Sequence, residues 1–599
     1  MVQVSQITIS MRVHKNCCKK HKMIIRWVVW RKSDIMQPRL TSLALGLRSM
    51  TREFPPISRS RINPSTGSWR RAPRGSQAGL HFYSMGGGSL IGSCWSLLSK
   101  FAGYLRSRGV GKGDVVGLFL PNSPQFAIAF YGALIAGAIV SPMNVLYSPR
   151  EIRHQLSDNK ARVLVALDMF KDRVLAGLPS SVEEVLWTGI QDYLPGLKAL
   201  LYKLFKKPPS PPKGGIHKKF TDALKHEPID SKPEINPHED VAALMYTGGT
   251  TGTPKGAMLT HRNLLANVLQ IDAWFKRGVR GKDVFVGALP WFHIYGLTAV
   301  LNSGVQKAAT IIVYARPNIE EIMRDIERYK ATVFHGVPTL YRMIINHPKV
   351  EKFNLRSLEV CISGAEPLPK AVAERFMEIT GAKLREGYGL TETSPVTHVN
   401  PIMGEARYGS IGIPVPSTVA AVADPESPAI LEPGQVGELV VSGPQVMKGY
   451  YNRPEENEKV FFECCGLRWL RTGDMARMDE DGYFYIVDRK KDIIKYKGYS
   501  VFPREIEEVL YRHECVREAA VIGVPHPEYN EVPKAFVALR DECKGKVKPE
   551  DIIEFARKHL APYKVPKEVE IREDLPKSGV GKILRRVLRE EELKKRGQA

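Results

Sequence analysis

The chain reads as an α/β protein: a large N-terminal domain of mostly parallel sheets with helices, followed by a small, mobile α+β C-terminal domain. Three observations predict this. From about residue 95 onward, short apolar runs of strand length alternate with stretches of helical period, the pattern of parallel sheets with crossover helices. After Gly443 the character changes to short strands and turns. A charged run at 488–492 then precedes a tail of about 110 residues, an ordinary size for a small domain. Hydrophobic content of 43% against 25% charged residues is enough to build a core, as in a globular protein.

Residues 1–95 read as part of neither domain. They are rich in Arg, Ser, Pro and Gly and keep neither a helical nor a strand period. Residues 1–100 hold 17 of the 87 Lys and Arg but 2 of the 63 Asp and Glu, so +15 of the +24 net charge is N-terminal. A charge placed there is poor ground for a nucleic-acid-binding body, and no nucleic acid is expected as a partner. A disordered basic tail, a transit peptide, a loosely packed extra segment and a misassigned start or frame are the competing readings. No signal peptide is convincing, because the apolar stretch 23–30 is short and interrupted by Arg26.

Order is expected from Trp95. WSLLSKFAGYLRSRG sets Leu97, Leu98, Phe101 and Leu105 at helical spacing, Gly109 stops the helix, and VVGLFLP follows as a buried strand. SPQFAIAFYGALIAGAIVSP is a helix and a strand again. Its apolar run, 126–140, is 15 residues, short of the ~20 that a bilayer span needs, and its small residues suit a helix buried in a core. RVLVAL, VEEVLW, DVFVGALP, TIIVYA, TVFHGVP and LEVCISG continue the strands. Residues 197–207 (LKALLYKLFKK) form a basic amphipathic helix before a proline-rich linker; docking on the protein's own surface is favoured over a membrane or partner contact. GELVVSG and GYFYIVD are short strands, and the tail adds a strand near VIGVPH and a helix at PEDIIEFARKHL. Eight cysteines, adjacent only at 17–18 and 464–465, suggest neither a disulfide framework nor a zinc pattern, and a reducing cytoplasm fits.

The chemistry gathers around residues 246–256, YTGGTTGTPKG, which read as a loop. Gly248, Gly249, Gly252 and Gly256 let another group approach the backbone closely. Thr247, Thr250, Thr251 and Thr253 add hydroxyls, and Lys255 adds a positive charge. Converging N–H groups, hydroxyls and an ammonium suit a polyphosphate. The stretch is not a Walker A loop, because Pro254 precedes the lysine and no Ser or Thr follows it. Further polar loops end strands or turns: PWFHIYG with His293, SGAEPLP with Gly364, Ala365 and Glu366, and REGYGLTET with Gly387, Tyr388, Gly389, Thr391 and Glu392. RTGD contributes Asp474, and PKSGVGKI contributes Lys582. In α/β sheets ligands bind where such loops converge.

With these motifs in this order from about Trp95 to the C-terminus, the sequence resembles the adenylate-forming superfamily of acyl-CoA synthetases, aryl-CoA ligases, luciferases and adenylation domains. YTGGTTGTPKGAMLTHRN and EGYGLTETSPVTHVNP look most like the medium- to long-chain fatty acid–CoA ligases. The resemblance implies a large domain at 96–488, a small one at 489–599, and a two-step reaction with ATP, Mg²⁺ and coenzyme A. A fatty acid would attack the α-phosphate of ATP to give acyl-AMP and pyrophosphate, and CoA would then take the acyl group.

By the same resemblance, Thr247 to Lys255 would grip the β- and γ-phosphates, and Thr391 the α-phosphate. Thr247 and Glu392 would serve Mg²⁺. Tyr388 would stack on adenine in a pocket lined by Gly364 to Glu366, and Asp474, with Arg489 nearby, would hold the ribose. Lys582 would stabilise charge at the reacting phosphate. A hinge at 489–492 would then replace it with the face carrying Lys497, Gly498 and Tyr499, which forms the pantetheine channel. His293 is given a positioning or gating role. Aryl-, short-chain and carrier-protein acyl ligases are the alternatives, with a non-catalytic nucleotide-binding relative as the reading from another class. Homodimer formation and peripheral contact at the inner membrane face are left open. The N-terminus departs from the family pattern: GGGSLIGSCWSLLSK stands where a Thr-Tyr-x-Glu-Leu segment is expected, which favours a misassigned start upstream.

Overall fold

The computed structural model describes residues 80–82, 88–193, 204–205, 209–212, 214–231, 233–247, 254–275, 281–497, 499–577 and 583–597. One eight-stranded sheet runs, in spatial order, Leu80–Phe82, Thr310–Val313, Val284–Gly287, Val333–Gly336, Val360–Ser363, Lys383–Gly389, Val396–Val399 and Ile413–Pro414. The pairings from Thr310–Val313 through Lys383–Gly389 are all parallel. Both edges are antiparallel. The edge strand Leu80–Phe82 and the start of the helix Gly88–Ser107 fall within the segment 1–95.

A second eight-stranded sheet runs Gly449–Tyr450, Lys255–Thr260, Val241–Thr247, Ile139–Pro142, Val115–Phe119, Val163–Leu167, Glu184–Thr188 and His217–Lys219. Its pairings are parallel from Val241–Thr247 to His217–Lys219 and antiparallel at the other end.

The helix Pro124–Ala136 joins the two sheets. Ser123 caps it by accepting from Phe126 N, Pro124 pre-sets the first turn, and Gly137 closes it at φ 89°. Every residue from Gln125 to Ala136 is buried, so the helix needs no polar face. One core combines its Phe126, Ile128 and Phe130 with Val116 and Val165 of one sheet and Phe285 and Ile311 of the other. Asn122 ties the layers by donating to Leu289 O (2.8 Å) and accepting from Trp291 N (2.7 Å).

A five-stranded sheet follows: Val419–Ala423, Val436–Ser442, Leu467–Met478 and Phe461–Cys464 in order, with Phe484–Arg489 also paired to Leu467–Met478. The last sheet, of the α+β tail, runs Tyr499–Val501, Ile494–Tyr496, Asn530–Leu539 and Val516–His526, with Glu568–Arg572 against Asn530–Leu539. It has cores of its own, one around Ile506, Leu510, Val521 and Val537 and one around Ile522, Phe536 and Leu588. The expected architecture is therefore present: two large mostly parallel sheets, then a smaller α+β body.

One expectation is corrected. Cys515 and Cys543 form a disulfide across 28 residues, although neither belongs to a close cysteine pair in the sequence. The cause is the hairpin between them: Val516 pairs with Leu539, so the residues flanking the two strands meet. The amphipathic segment 197–207 lies largely outside the described residues; Leu204 and Phe205 are described and exposed. Among the described residues no helix is long and apolar enough to cross a membrane.

Candidate active site

The stretch 246–256 is less of a loop than its composition suggests. Tyr246 and Thr247 end one strand, Lys255 and Gly256 begin the next, and the two form a hairpin in which Thr247 pairs with Lys255. Gly248, Gly249, Thr250, Thr251, Gly252 and Thr253 lie outside the described residues. The hairpin base is fixed by side chains from elsewhere. Tyr246 donates to Asp158 at 2.6 Å, and Arg453 holds the other oxygen of Asp158 at 2.6 Å. Lys255 is buried and bonded to Glu456 at 2.5 Å.

The second motif turns sharply. Gly389 is required there: a Cβ would stand 2.0 Å from the carbonyl oxygen of Pro395, which accepts from Leu390 N at 3.0 Å. Thr391–Thr393 forms a single 3-10 turn packed against both strands of the hairpin. The structure thus brings Thr391 and Glu392 to the base of the 246–256 stretch. Glu392 accepts a hydrogen bond from Tyr450 at 2.7 Å. In the strand before this turn, Tyr388 donates to Asp474 at 2.6 Å, and Arg489 reaches the other carboxylate oxygen at 3.7 Å. Burial, and then the negative charge of Asp474, hold the Tyr388 phenol well above its ordinary pKa, so it is a hydrogen-bond donor.

PWFHIYG and SGAEPLP also meet. Tyr295 donates to Ile362 O at 3.0 Å, and a Cβ on Gly364 would lie 2.9 Å from the Tyr295 ring. His293 is half-buried; its Nδ1 accepts from Tyr295 N at 3.4 Å, and a π-helix, Gly296–Asn302, begins at the end of the motif. Ala365 has φ +70° and is exposed, and Glu366 is half-buried beside it. Beneath this turn is an apolar cavity of about 20 Å³, room for about one water, lined by Trp274, Phe275, Tyr295, Ile362, Val396 and His335 among others.

Lys497 and Tyr499 are exposed on the small body, where Lys497 sits 4.3 Å over the Tyr529 ring and Tyr499 stacks on Tyr563 at 4.9 Å. Gly498 and Lys582 lie outside the described residues. Lys577 pairs with Ile583, so the two ends of the stretch holding Lys582 are adjacent.

The model of the "AMP-binding enzyme" family matches residues 93–451, and that of the "AMP-binding enzyme C-terminal domain" matches 505–582. The chain belongs to the adenylate-forming family of AMP-binding enzymes. It is 45% identical over 500 residues to the long-chain-fatty-acid–CoA ligase of Bacillus subtilis strain 168, covering 82% of this chain and 88% of that one. It is 41% identical over 503 residues to the enzyme of the same name from Salmonella typhimurium strain LT2, with the same coverage. Among solved structures, ATP-bound MatB from Rhodopseudomonas palustris matches with a TM-score of 0.73 at 29% identity, over 84% of this chain and 93% of that one.

Several residues at the site of this AMP-binding enzyme carry no signal in the sequence. Tyr450 and Glu456 sit in KGYYNRPEENEK, outside the motifs singled out in the sequence. His335 lies in a strand yet is buried against Phe275, Phe285 and Tyr295; burial lowers its pKa to about 4, so it is neutral.

Glu386 is buried, and its chief partner is Leu368 N at 3.1 Å. Burial raises its pKa from 4.5 to about 7. A carboxyl whose folded pKa is raised stabilises the fold fully below its unfolded pKa, and that stability is lost as pH rises through the folded value. From below pH 4.5 to above pH 7, the unfolding free energy of Glu386→Gln is therefore expected to gain about 3 kcal/mol on wild type. Denaturant titrations of both proteins across that range measure the difference, and a constant difference would contradict the assignment.

Proposed function

We propose that the enzyme activates a fatty acid with ATP to acyl-AMP and pyrophosphate and then transfers the acyl group to coenzyme A, releasing AMP. The observation that carries the reading is the convergence of three separate motifs: the Thr391–Thr393 turn against the 246–256 hairpin, and the Tyr388 hydroxyl on Asp474.

A carboxylate and a triphosphate repel, so the site must first offset charge. Lys255 supplies an ammonium at the hairpin, beside the backbone and hydroxyl donors of 248–253, where the leaving pyrophosphate would be held. Thr391 would meet the α-phosphate, Tyr388 and the turn at Gly364 the adenine, and Asp474 the ribose hydroxyls. Glu392 fits a Mg²⁺ role: no cluster of three or more His, Cys, Asp or Glu among the described residues could hold a metal alone, and Mg²⁺ commonly takes one carboxylate plus substrate phosphates. Bound there, Mg²⁺ would neutralise phosphate charge. Lys582 would add the cation that responds to charge developing at the α-phosphate. A hinge within 489–492 would exchange Lys582 for the Lys497–Tyr499 face in the thioester step, with His293 bordering the thiol path.

The apolar lining beneath Tyr295 is the proposed acyl site. A cavity of about 20 Å³ admits an acyl chain only if its walls move, and Trp274 is the largest side chain in them. AMP release measured with acids from acetate to stearate, and with benzoate, is expected to be highest for medium- to long-chain acids. Trp274→Ala should raise kcat/KM for the longer acids relative to the shorter ones. Highest activity with benzoate or acetate would replace the fatty acyl assignment by the aryl or short-chain one.

A further inference from the structure

Tyr450 touches both charged residues of the proposed phosphate site, Lys255 and Glu392. It belongs to the two-residue strand Gly449–Tyr450, which pairs with the second strand of the hairpin so that Tyr450 lies opposite Ala257. Its hydroxyl donates to Glu392 Oε1 at 2.7 Å. The Lys255 ammonium sits 5.4 Å above the centre of its ring. Its backbone is clamped by one side chain: Tyr450 N donates to Asn457 Oδ1 at 2.7 Å, and Asn457 Nδ2 donates back to Tyr450 O at 3.2 Å. Asn457 is in the helix Pro454–Val460, the same helix that presents Glu456 to Lys255.

An ammonium and a carboxylate in one partly desolvated site attract each other strongly, and a direct pair would spend the charge that phosphate and metal require. The aromatic ring keeps such a pair from forming between Lys255 and Glu392, its negative face toward Lys255 and its hydroxyl on Glu392, while Lys255 pairs with Glu456 instead. We propose that Tyr450 is a positioning residue that holds Lys255 and Glu392 apart and aimed into the phosphate site, with Glu456 as the counter-ion that Lys255 exchanges for incoming polyphosphate. This rests on the proposed roles of Lys255 and Glu392.

The two contacts of Tyr450 are separable. Tyr450→Phe keeps the ring under Lys255 and removes the hydroxyl from Glu392; Tyr450→Leu removes both. The test is calorimetric titration of the full-length protein with inorganic pyrophosphate, with and without Mg²⁺, together with Mn²⁺ binding followed by electron paramagnetic resonance in the presence of ATP. Tyr450→Phe is expected to bind metal-free pyrophosphate within about twofold of wild type and to weaken Mn²⁺ by about five- to tenfold, the loss of one charge-assisted hydrogen bond. Tyr450→Leu should weaken both. Glu456→Gln should bind pyrophosphate more tightly than wild type.

Mn²⁺ affinity unchanged in Tyr450→Phe, or pyrophosphate binding equal in the Phe and Leu variants, would overturn the positioning role while wild-type binding left the phosphate-site reading intact. Weaker pyrophosphate binding in Glu456→Gln would overturn the counter-ion exchange. Failure of the wild type itself to bind pyrophosphate would overturn the reading of the site and this inference with it.

Discussion

Lys582→Ala is expected to slow acyl-adenylate formation by about a hundred- to a thousandfold, the usual cost of removing one preorganised group that meets developing charge. Thioester formation from supplied acyl-AMP and CoA should stay within a few-fold of wild type, because in the proposed cycle Lys582 has left the site by then. The asymmetry is what matters. A variant damaged in folding would lose both half-reactions, whereas a lysine serving only the first loses one. Lys255 and the hairpin are proposed to hold the leaving group, and Lys582 is proposed as the cation that acts at the reacting phosphorus. Rapid-quench measurement of the two half-reactions separates them, and equal losses in both would contradict the assigned role.

The second large effect concerns stability. Arg585 is half-buried among three carboxylates: Asp488 at 3.0 Å, Asp492 at 3.2 Å, and Glu507, which it meets with two guanidinium nitrogens. Asp488 also accepts from Arg504 N at 2.6 Å, and Arg504 donates to Ile486 O at 2.9 Å. These contacts tie the last strand of the five-stranded sheet to the first helix and last helix of the small body, across the run expected to be the hinge. Burial raises the Glu507 pKa while the guanidinium opposes that rise, so Glu507 depends on Arg585 for its charge. Arg585→Leu strands buried carboxylates and is expected to cost about 3–5 kcal/mol. Arg585→Lys should recover little of this, because a point charge cannot serve three partners in a fork. Guanidinium denaturation of the full chain measures the loss. A cost below about 1 kcal/mol, the value of an exposed pair, would show that the cluster is solvent-screened.

The fold was legible wherever a residue's role is local. VVGLF and RVLVAL read as strands because each is a short apolar run closed by a turn, and both are strands at Val115–Phe119 and Val163–Leu167. The run 126–140 read as a core helix and strand, and Pro124–Ala136 is buried on every side. The site's motif loops were legible for a related reason: glycines and polar groups concentrated in a few residues have little structural use. What stayed hidden depends on distant pairing. Nothing in PKG indicates that Lys255 is a strand residue, since its partner Thr247 lies across a Gly- and Thr-rich stretch. Tyr450 and Glu456 acquire their surroundings from a strand about 200 positions earlier. Cys515 and Cys543 meet only because the hairpin between them returns the chain to its start. Arg585 is one of several cations in KILRRVLR, and only its three carboxylate partners distinguish it.

This AMP-binding enzyme is proposed to use a fatty acid to displace pyrophosphate from ATP at the hairpin. Exchange of labelled pyrophosphate into ATP tests it most directly, because it isolates the first step from CoA and from product release. The expected result is exchange that requires a medium- to long-chain fatty acid and Mg²⁺ and is lost in Lys582→Ala. Exchange that stays at background with every acid, in a protein that still binds ATP, would contradict the claim and leave a nucleotide-binding relative without adenylation chemistry.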